Sequence, residues 1–179
     1  GVVGRTGAGK TSCILTLFRI IEIEKGSISI DGIDISKISL VQLRRHLGII
    51  PQDPIVFEGT LRSNIDPFNR FSNEAVMEAT RAAHLNTLDL DHETVRGGKN
   101  LSAGQRQQIC LARVILIRPK LLVLDEATSA LDAATDTLVS ETIQREFSAS
   151  TVLTIAHRLK TIMDSDLILV MDKGRIGEI

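Results

Sequence analysis

A chain of 179 residues, 43% hydrophobic and 24% charged with a formal net charge of -1, is long enough for one domain with a sizeable core, and its composition is neither that of a disordered chain nor that of a membrane-embedded one. Its lysines and arginines form no block that would serve as a footprint for nucleic acid, and no apolar run reaches the ~20 residues of a membrane-spanning helix, since even Ile109 to Ile117 is broken by Arg113. The amino end carries no signal-peptide pattern, and the two cysteines, Cys13 and Cys110, fall in apolar helical stripes as core thiols of a reducing, cytosolic compartment would.

Val2 and Val3 read as the last step of a buried strand, so the chain is expected to begin inside an element, as a fragment. After a glycine-rich turn at Gly4, Thr11 to Ile23 has helical spacing, with Cys13, Ile14, Leu17, Phe18 and Ile21 as its apolar face. Ser27 to Ile30 alternates, and Asp31-Gly32 supplies the left-handed turn of a small hairpin. Leu40 to Leu47 is expected to be helical, and Gly48 to Ile50 a short buried strand ending at Pro51-Gln52. The stretch from Phe57 to Asn100 is mainly polar, with a helix near Asn73 to Leu85. Ser102 opens the next helix, because Gln105 three residues later makes a capping box ahead of an apolar stripe that stops before Pro119. Leu121 to Leu124 is a continuous apolar run, as in a strand buried on both faces. Asp132 to Phe147 is helical, Thr151 to Ala156 is a β-branched core strand, and Leu167 to Met171 and Arg175 to Ile179 flank the turn Asp172-Lys173-Gly174. Strands alternating with helices imply an α/β fold with a mostly parallel sheet flanked by helices and a helical excursion between Phe57 and Pro119.

Between the first strand and the first helix, Gly4-Arg5-Thr6-Gly7-Ala8-Gly9-Lys10-Thr11 matches GxxxxGK[ST] in the context that motif requires. Glycines let backbone N–H groups converge on phosphate oxygens, and the helix that begins near Lys10 points its positive end at them. Lys10 would neutralise the β- and γ-phosphates, and the Thr11 hydroxyl would hold Mg²⁺. Asp125 and Glu126 follow the strand Leu121 to Leu124, at the edge where open α/β sheets bind ligands. Asp125 is suited to hold Mg²⁺ through its water shell, and Glu126 to polarise a water that attacks the γ-phosphate. Gln52 and His157 also follow strands, so these groups are expected along one sheet edge. His46, His84 and His92 have no partner spacing, and nothing in the chain has the spacing of a zinc site.

Leu101-Ser102-Ala103-Gly104-Gln105 resembles the LSGGQ signature of ATP-binding-cassette proteins, with Ala103 in place of the usual glycine. The likeness continues through Gln52 in Pro51-Gln52-Asp53-Pro54, through Ser129-Ala130-Leu131-Asp132 and through His157, so it covers nearly the whole chain. It implies a P-loop NTPase fold in which residues 1–56 and 120–179 form the ATPase core, residues 57–119 an inserted helical signature subdomain, and an amino-terminal β-subdomain is partly missing. The site residues it implies are Gly4 to Thr11 and Ser12 around ATP, with Thr11, Gln52 and Asp125 at Mg²⁺. Glu126 takes the place of the catalytic glutamate, Gln52 of the Q-loop glutamine and His157 of the switch histidine.

In this family two such domains sandwich two nucleotides head to tail. The resemblance therefore implies that Leu101 to Gln105 clamps the partner domain's ATP and that Ser129, Ala130, Leu131 and Asp132 form the D-loop that crosses to it. The stretch Gly32 to Phe68 is most similar to the second nucleotide-binding domain of multidrug-resistance-associated transporters. The expected function is an ATP-hydrolysing motor on the cytoplasmic face of a membrane, partnered by a second nucleotide-binding domain and by transmembrane domains, with no nucleic acid. A DNA-repair or chromosome ATPase with the same signature, and a regulatory nucleotide sensor that gates a channel, are the alternatives. The chain has no tryptophan or tyrosine, so the aromatic residue that stacks on adenine in this family is expected upstream.

Overall fold

The apolar runs of the sequence become the strands of one sheet in the computed structural model, which describes residues 1–128, 131–156 and 162–179. In chain order the elements are strand β1 (Val2–Gly4), helix α1 (Lys10–Leu17), the hairpin β2 (Ser29–Ile30) and β3 (Ile33–Asp34), a 3-10 turn (Ile35–Lys37), helix α2 (Leu40–Arg45) and strand β4 (Leu47–Ile50). There follow β5 (Gly59–Thr60), α3 (Leu61–Ile65), α4 (Asn73–Ala82), β6 (Glu93–Thr94), a second 3-10 turn (Arg96–Gly98) and α5 (Ala103–Ile117). After these come β7 (Leu121–Asp125), α6 (Ala133–Glu146), β8 (Thr151–Ile155), β9 (Leu169–Asp172) and β10 (Arg175–Glu178).

Six strands pair in the order β10-β9-β1-β8-β7-β4. β10 runs antiparallel to β9, while β9, β1, β8, β7 and β4 are mutually parallel. Successive residues of a strand point to opposite faces, and β7 shows the consequence. Leu122 joins Ile109, Val139 and Phe147 in a core on one face, and Val123 joins Ile14, Leu43 and Ile155 on the other. Both are fully buried, which is why this run carries no polar alternation. The parallel arrangement leaves the carboxyl ends of β1, β4 and β7 along one edge of the sheet, where β1 ends at Gly4, β7 ends at Asp125 and the loop after β4 carries Gln52. Among the described residues, no helix is long and apolar enough to cross a membrane.

The first helix is shorter than its spacing suggests. α1 stops at Leu17, Arg19 turns to φ 48°, and Ile20, Ile21 and Ile23 are exposed. β-branched residues in close succession lose side-chain freedom against a helical turn, so that run leaves the helix. Ile14 and Phe18, four residues apart, carry the buried face. Cys13 lies off that stripe and is exposed, with its Sγ 3.9 Å from Met171 Sδ, whereas Cys110 is a buried core thiol as expected. Helix α3 has no counterpart in the sequence reading. It is a single turn capped reciprocally by Thr60 and Ser63, and it buries Leu61 and Ile65.

Candidate functional site

The loop between β1 and α1 is built from positions that tolerate few side chains. A Cβ on Gly4 would run into the Met171 carbonyl oxygen of neighbouring β9. Gly7 and Gly9 have φ of 81° and 101°, where a side chain is strained. The Ala8 amide closes back on the Arg5 carbonyl at 3.0 Å, and the Ala8 carbonyl accepts from the Gly174 amide at 2.9 Å, so the β9–β10 turn braces the loop from outside.

Lys10 is buried, 7% exposed, and its Nζ donates to the carbonyls of Gly4 at 2.7 Å and Arg5 at 3.2 Å. An ammonium has three N–H groups, and these two bonds use two of them. α1 has Gly9 as its N-cap, no side chain capping it and no acidic residue in its first turn. Its positive end is therefore not neutralised from within the helix, an arrangement that favours an anion.

A cleft of about 380 Å³ opens over this loop, lined by Thr6, Gly7, Ala8, Gly9, Lys10, Thr11 and Ser12 together with Gln52, Glu126 and Ile155. Gln52 arrives from the end of β4 and Glu126 from the end of β7, which pair in register through Ile50 and Leu124. Glu126 takes the left-handed conformation, φ 50°, while its amide donates to the Ile155 carbonyl at 3.0 Å. That strained turn, held by the neighbouring strand, directs the chain out of the sheet immediately after Asp125. Asp125 itself is the last residue of β7, opposite Ile155, and is not among the residues that line the cleft. Gly4 and Arg5 likewise contribute from behind the lining, through their carbonyls.

Side-chain donors in the cleft that could meet a cation are oxygens: the Thr6, Thr11 and Ser12 hydroxyls, the Gln52 amide and the Glu126 carboxylate. Hard donors of this kind suit Mg²⁺ rather than a soft metal. Among the described residues there is no group of three or more His, Cys, Asp or Glu placed to hold a metal. A cation here would complete its shell with substrate phosphate and water, as Mg²⁺ commonly does.

Leu101 to Gln105 lies apart from this cleft. Leu101 is buried and Ser102 is the N-cap of α5, where the Gln105 amide donates to Ser102 Oγ at 3.1 Å and the Ser102 amide to Gln105 Oε1 at 2.9 Å. Ala103 is exposed, so its methyl group meets no packing conflict. Asp132 caps α6 by accepting from the amides of Ala134 and Thr135 at 3.1 and 3.0 Å; the Thr135 bond leads in holding its carboxyl below the ordinary range. Leu131 is half-buried beside it. Ser129, Ala130 and His157 lie outside the described residues. Sequence reasoning missed the brace from Gly174 and the inward seat of the Lys10 ammonium; the Asp172-Lys173-Gly174 turn was visible, but its contact with Ala8 is set by the strand order.

A family model described as ABC transporter matches residues 1–129. The mouse protein "ATP-binding cassette sub-family C member 2" is 58% identical over 99% of this chain and 12% of its own length. Yeast "Metal resistance protein YCF1", from Saccharomyces cerevisiae, is 54% identical with the same coverage. A solved structure of a bacterial Atm1-family ABC exporter with ATP bound superposes with a TM-score of 0.92 at 39% identity, covering 99% of this chain and 32% of that one. The chain thus spans about an eighth of the length of these curated relatives, 12% in each case. It belongs to the ABC transporter family.

Proposed function

We propose that this domain is the ATP-hydrolysing motor of a transporter, and that it works at the cytoplasmic face of a membrane with transmembrane domains and a second nucleotide-binding domain as partners. The observation that carries the reading is the cleft, which joins Thr6 to Ser12, Gln52 and Glu126 although they are far apart in sequence. In this reading residues 1–56 and 120–179 are the ATPase core and residues 57–119 the helical signature subdomain.

Gly4 to Ser12 wraps the triphosphate with main-chain amides, and Lys10 offers its remaining N–H to a phosphate oxygen. Thr11, Gln52 and Asp125 would hold Mg²⁺, which when bound neutralises charge on the phosphate oxygens. Glu126 takes a proton from the water that attacks the γ-phosphorus as the bond to the leaving oxygen breaks, giving ADP and phosphate. His157 would serve as the switch histidine, and Leu101 to Gln105 would hold the partner domain's nucleotide, with Ser129 to Asp132 as the D-loop that crosses to that domain. Exposure of Ile55 and Phe57, 59% and 61%, supports a role for the segment after Gln52 in meeting membrane helices, since exposed apolar side chains side by side mark contact surfaces.

Glu126→Gln in the intact transporter tests the proposal. Phosphate release should fall by about 10²–10⁴-fold, the contribution of a general base, with ATP binding retained. Undiminished turnover would reject the role given to Glu126.

A further inference from the structure

Helix α5 reaches across to the segment that follows β4 with two side chains. Gln107, 2% exposed, donates from Nε2 to the Pro51 carbonyl at 3.3 Å, immediately before Gln52. Arg113 donates from Nη1 to the Ile55 carbonyl at 2.7 Å. The same guanidinium donates from Nε to the Asn64 carbonyl at 2.6 Å and from Nη2 to Asn64 Oδ1 at 3.1 Å, and it lies 5.8 Å from the Phe57 ring centroid. Asn64, on α3 and 1% exposed, accepts from the Phe57 amide at 2.8 Å and donates to the Phe57 carbonyl at 2.9 Å. Residues 51–57 are therefore held at Pro51, Ile55 and Phe57 by side chains of α5 and α3.

These oxygen acceptors of Arg113 are neutral. Charge compensation is not what this largely buried cation gains there, and a planar fork fixed on named carbonyls specifies position. Gln107 likewise sits on the buried stripe of α5 with Ile109, Cys110 and Leu111, where an apolar residue would pack without demanding a partner. What the two bonds share is that one end lies on either side of Gln52 along the chain and the other on the helix whose amino end is Ser102. We infer that Gln107 and Arg113 are positioning residues that make the Gln52 segment and the signature helix move as one body, so that a displacement beside one nucleotide is delivered to Ser102 at the other. This rests on the motor reading above, in which Gln52 and Ser102 face different nucleotides.

The test compares Gln107→Leu and Arg113→Lys in the intact transporter. Leucine fits a buried apolar stripe but removes the bond to Pro51; lysine keeps the charge but cannot fork to Ile55 and Asn64 together. Amide hydrogen exchange is followed over residues 53–57 and over the loop 4–11, alongside kcat and KM for ATP. Coupling predicts exchange over 53–57 at least tenfold faster with the 4–11 loop unaltered, and kcat at least fivefold lower with KM within twofold. A purely structural fastening would speed exchange and leave kcat per folded molecule unchanged, which would overturn the inference. Unaltered exchange, or a KM that rises as kcat falls, would overturn it as well. If Gln107→Leu fails to accumulate, Arg113→Lys, the milder change, decides. Absence of ATP turnover in the unsubstituted protein would instead sink the motor reading and with it the coupling to Ser102, whereas unaltered exchange with normal turnover would sink the tie alone.

Discussion

Lys10→Met removes the ammonium and nearly preserves the volume and flexibility of the side chain, so it isolates the charge at a site only 7% exposed. Two of the three N–H groups are engaged by Gly4 and Arg5, which leaves one for a phosphate oxygen. A hydrogen bond that involves a charged group contributes about 1.5–3 kcal/mol, which corresponds to a loss of roughly 10–150-fold in affinity. The apolar replacement also leaves the two loop carbonyls without their donor, so the loop loses part of its preorganisation and the effect should fall in the upper half of that range. Equilibrium binding of radiolabelled ATP to the intact transporter, read at this site with the partner domain's own lysine left in place, measures it. Binding within twofold of the unsubstituted protein would refute the argument that this ammonium meets phosphate.

Two further outcomes can be measured, one at the phosphate loop and one at the buried carboxylate Asp66. Gly4→Ala drives a methyl group into the Met171 carbonyl and to 3.1 Å from Ala8 Cβ; it should cost about 1–3 kcal/mol, the range for overpacking, and weaken ATP binding together with stability, read as a lower melting temperature and a higher Kd. Asp66 is 5% exposed, and burial pushes its carboxyl up, but the amides of Arg70 and Phe71 and the Arg62 guanidinium outweigh it and hold the pKa below the ordinary 3.8. A depressed folded pKa stabilises the fold above the unfolded value, and that stabilisation is lost as pH falls through the folded one. The stability advantage of the native protein over Asp66→Asn should therefore be constant near neutrality and shrink below about pH 4, as followed by melting temperature against pH.

The parts of this molecule that could be read in the sequence are those whose cause is local. Gly4 to Thr11 announces its turn through glycines at fixed spacing, and Ser102 with Gln105 announces a helix start because both partners of the capping box lie within one turn. Leu121 to Leu124 is long enough and apolar enough to declare a strand buried on both faces. Other features depend on distant partners. Arg113 reads in the sequence only as a charge that interrupts an apolar run, and its acceptors, Ile55 and Asn64, lie 58 and 49 residues away. The seat of α3 depends on Leu61 and Arg62 amides that donate to His92 and Leu90. Ile21 fits the helical period, but in the run Ile20, Ile21 and Ile23 the local cost in a helix is not offset by burial.

Glu126 illustrates a mixture of the two. Its place after an apolar strand is visible in the sequence, and its company in the cleft with Gln52 and Thr6 to Ser12 depends on the strand order. The likeness to ATP-binding-cassette proteins supplied the roles, and the sheet supplied a physical reason for bringing those side chains to one edge.

The most direct measurement is the melting temperature of the intact protein, in the unsubstituted form and as Lys10→Met, with and without saturating Mg-ATP. Ligand at a hundred times its Kd stabilises the bound form by about 2.7 kcal/mol, so a clear upward shift is expected for the unsubstituted protein and a smaller one for Lys10→Met. Equal shifts in the two proteins, or no shift in either, would contradict the claim that this loop grips the nucleotide.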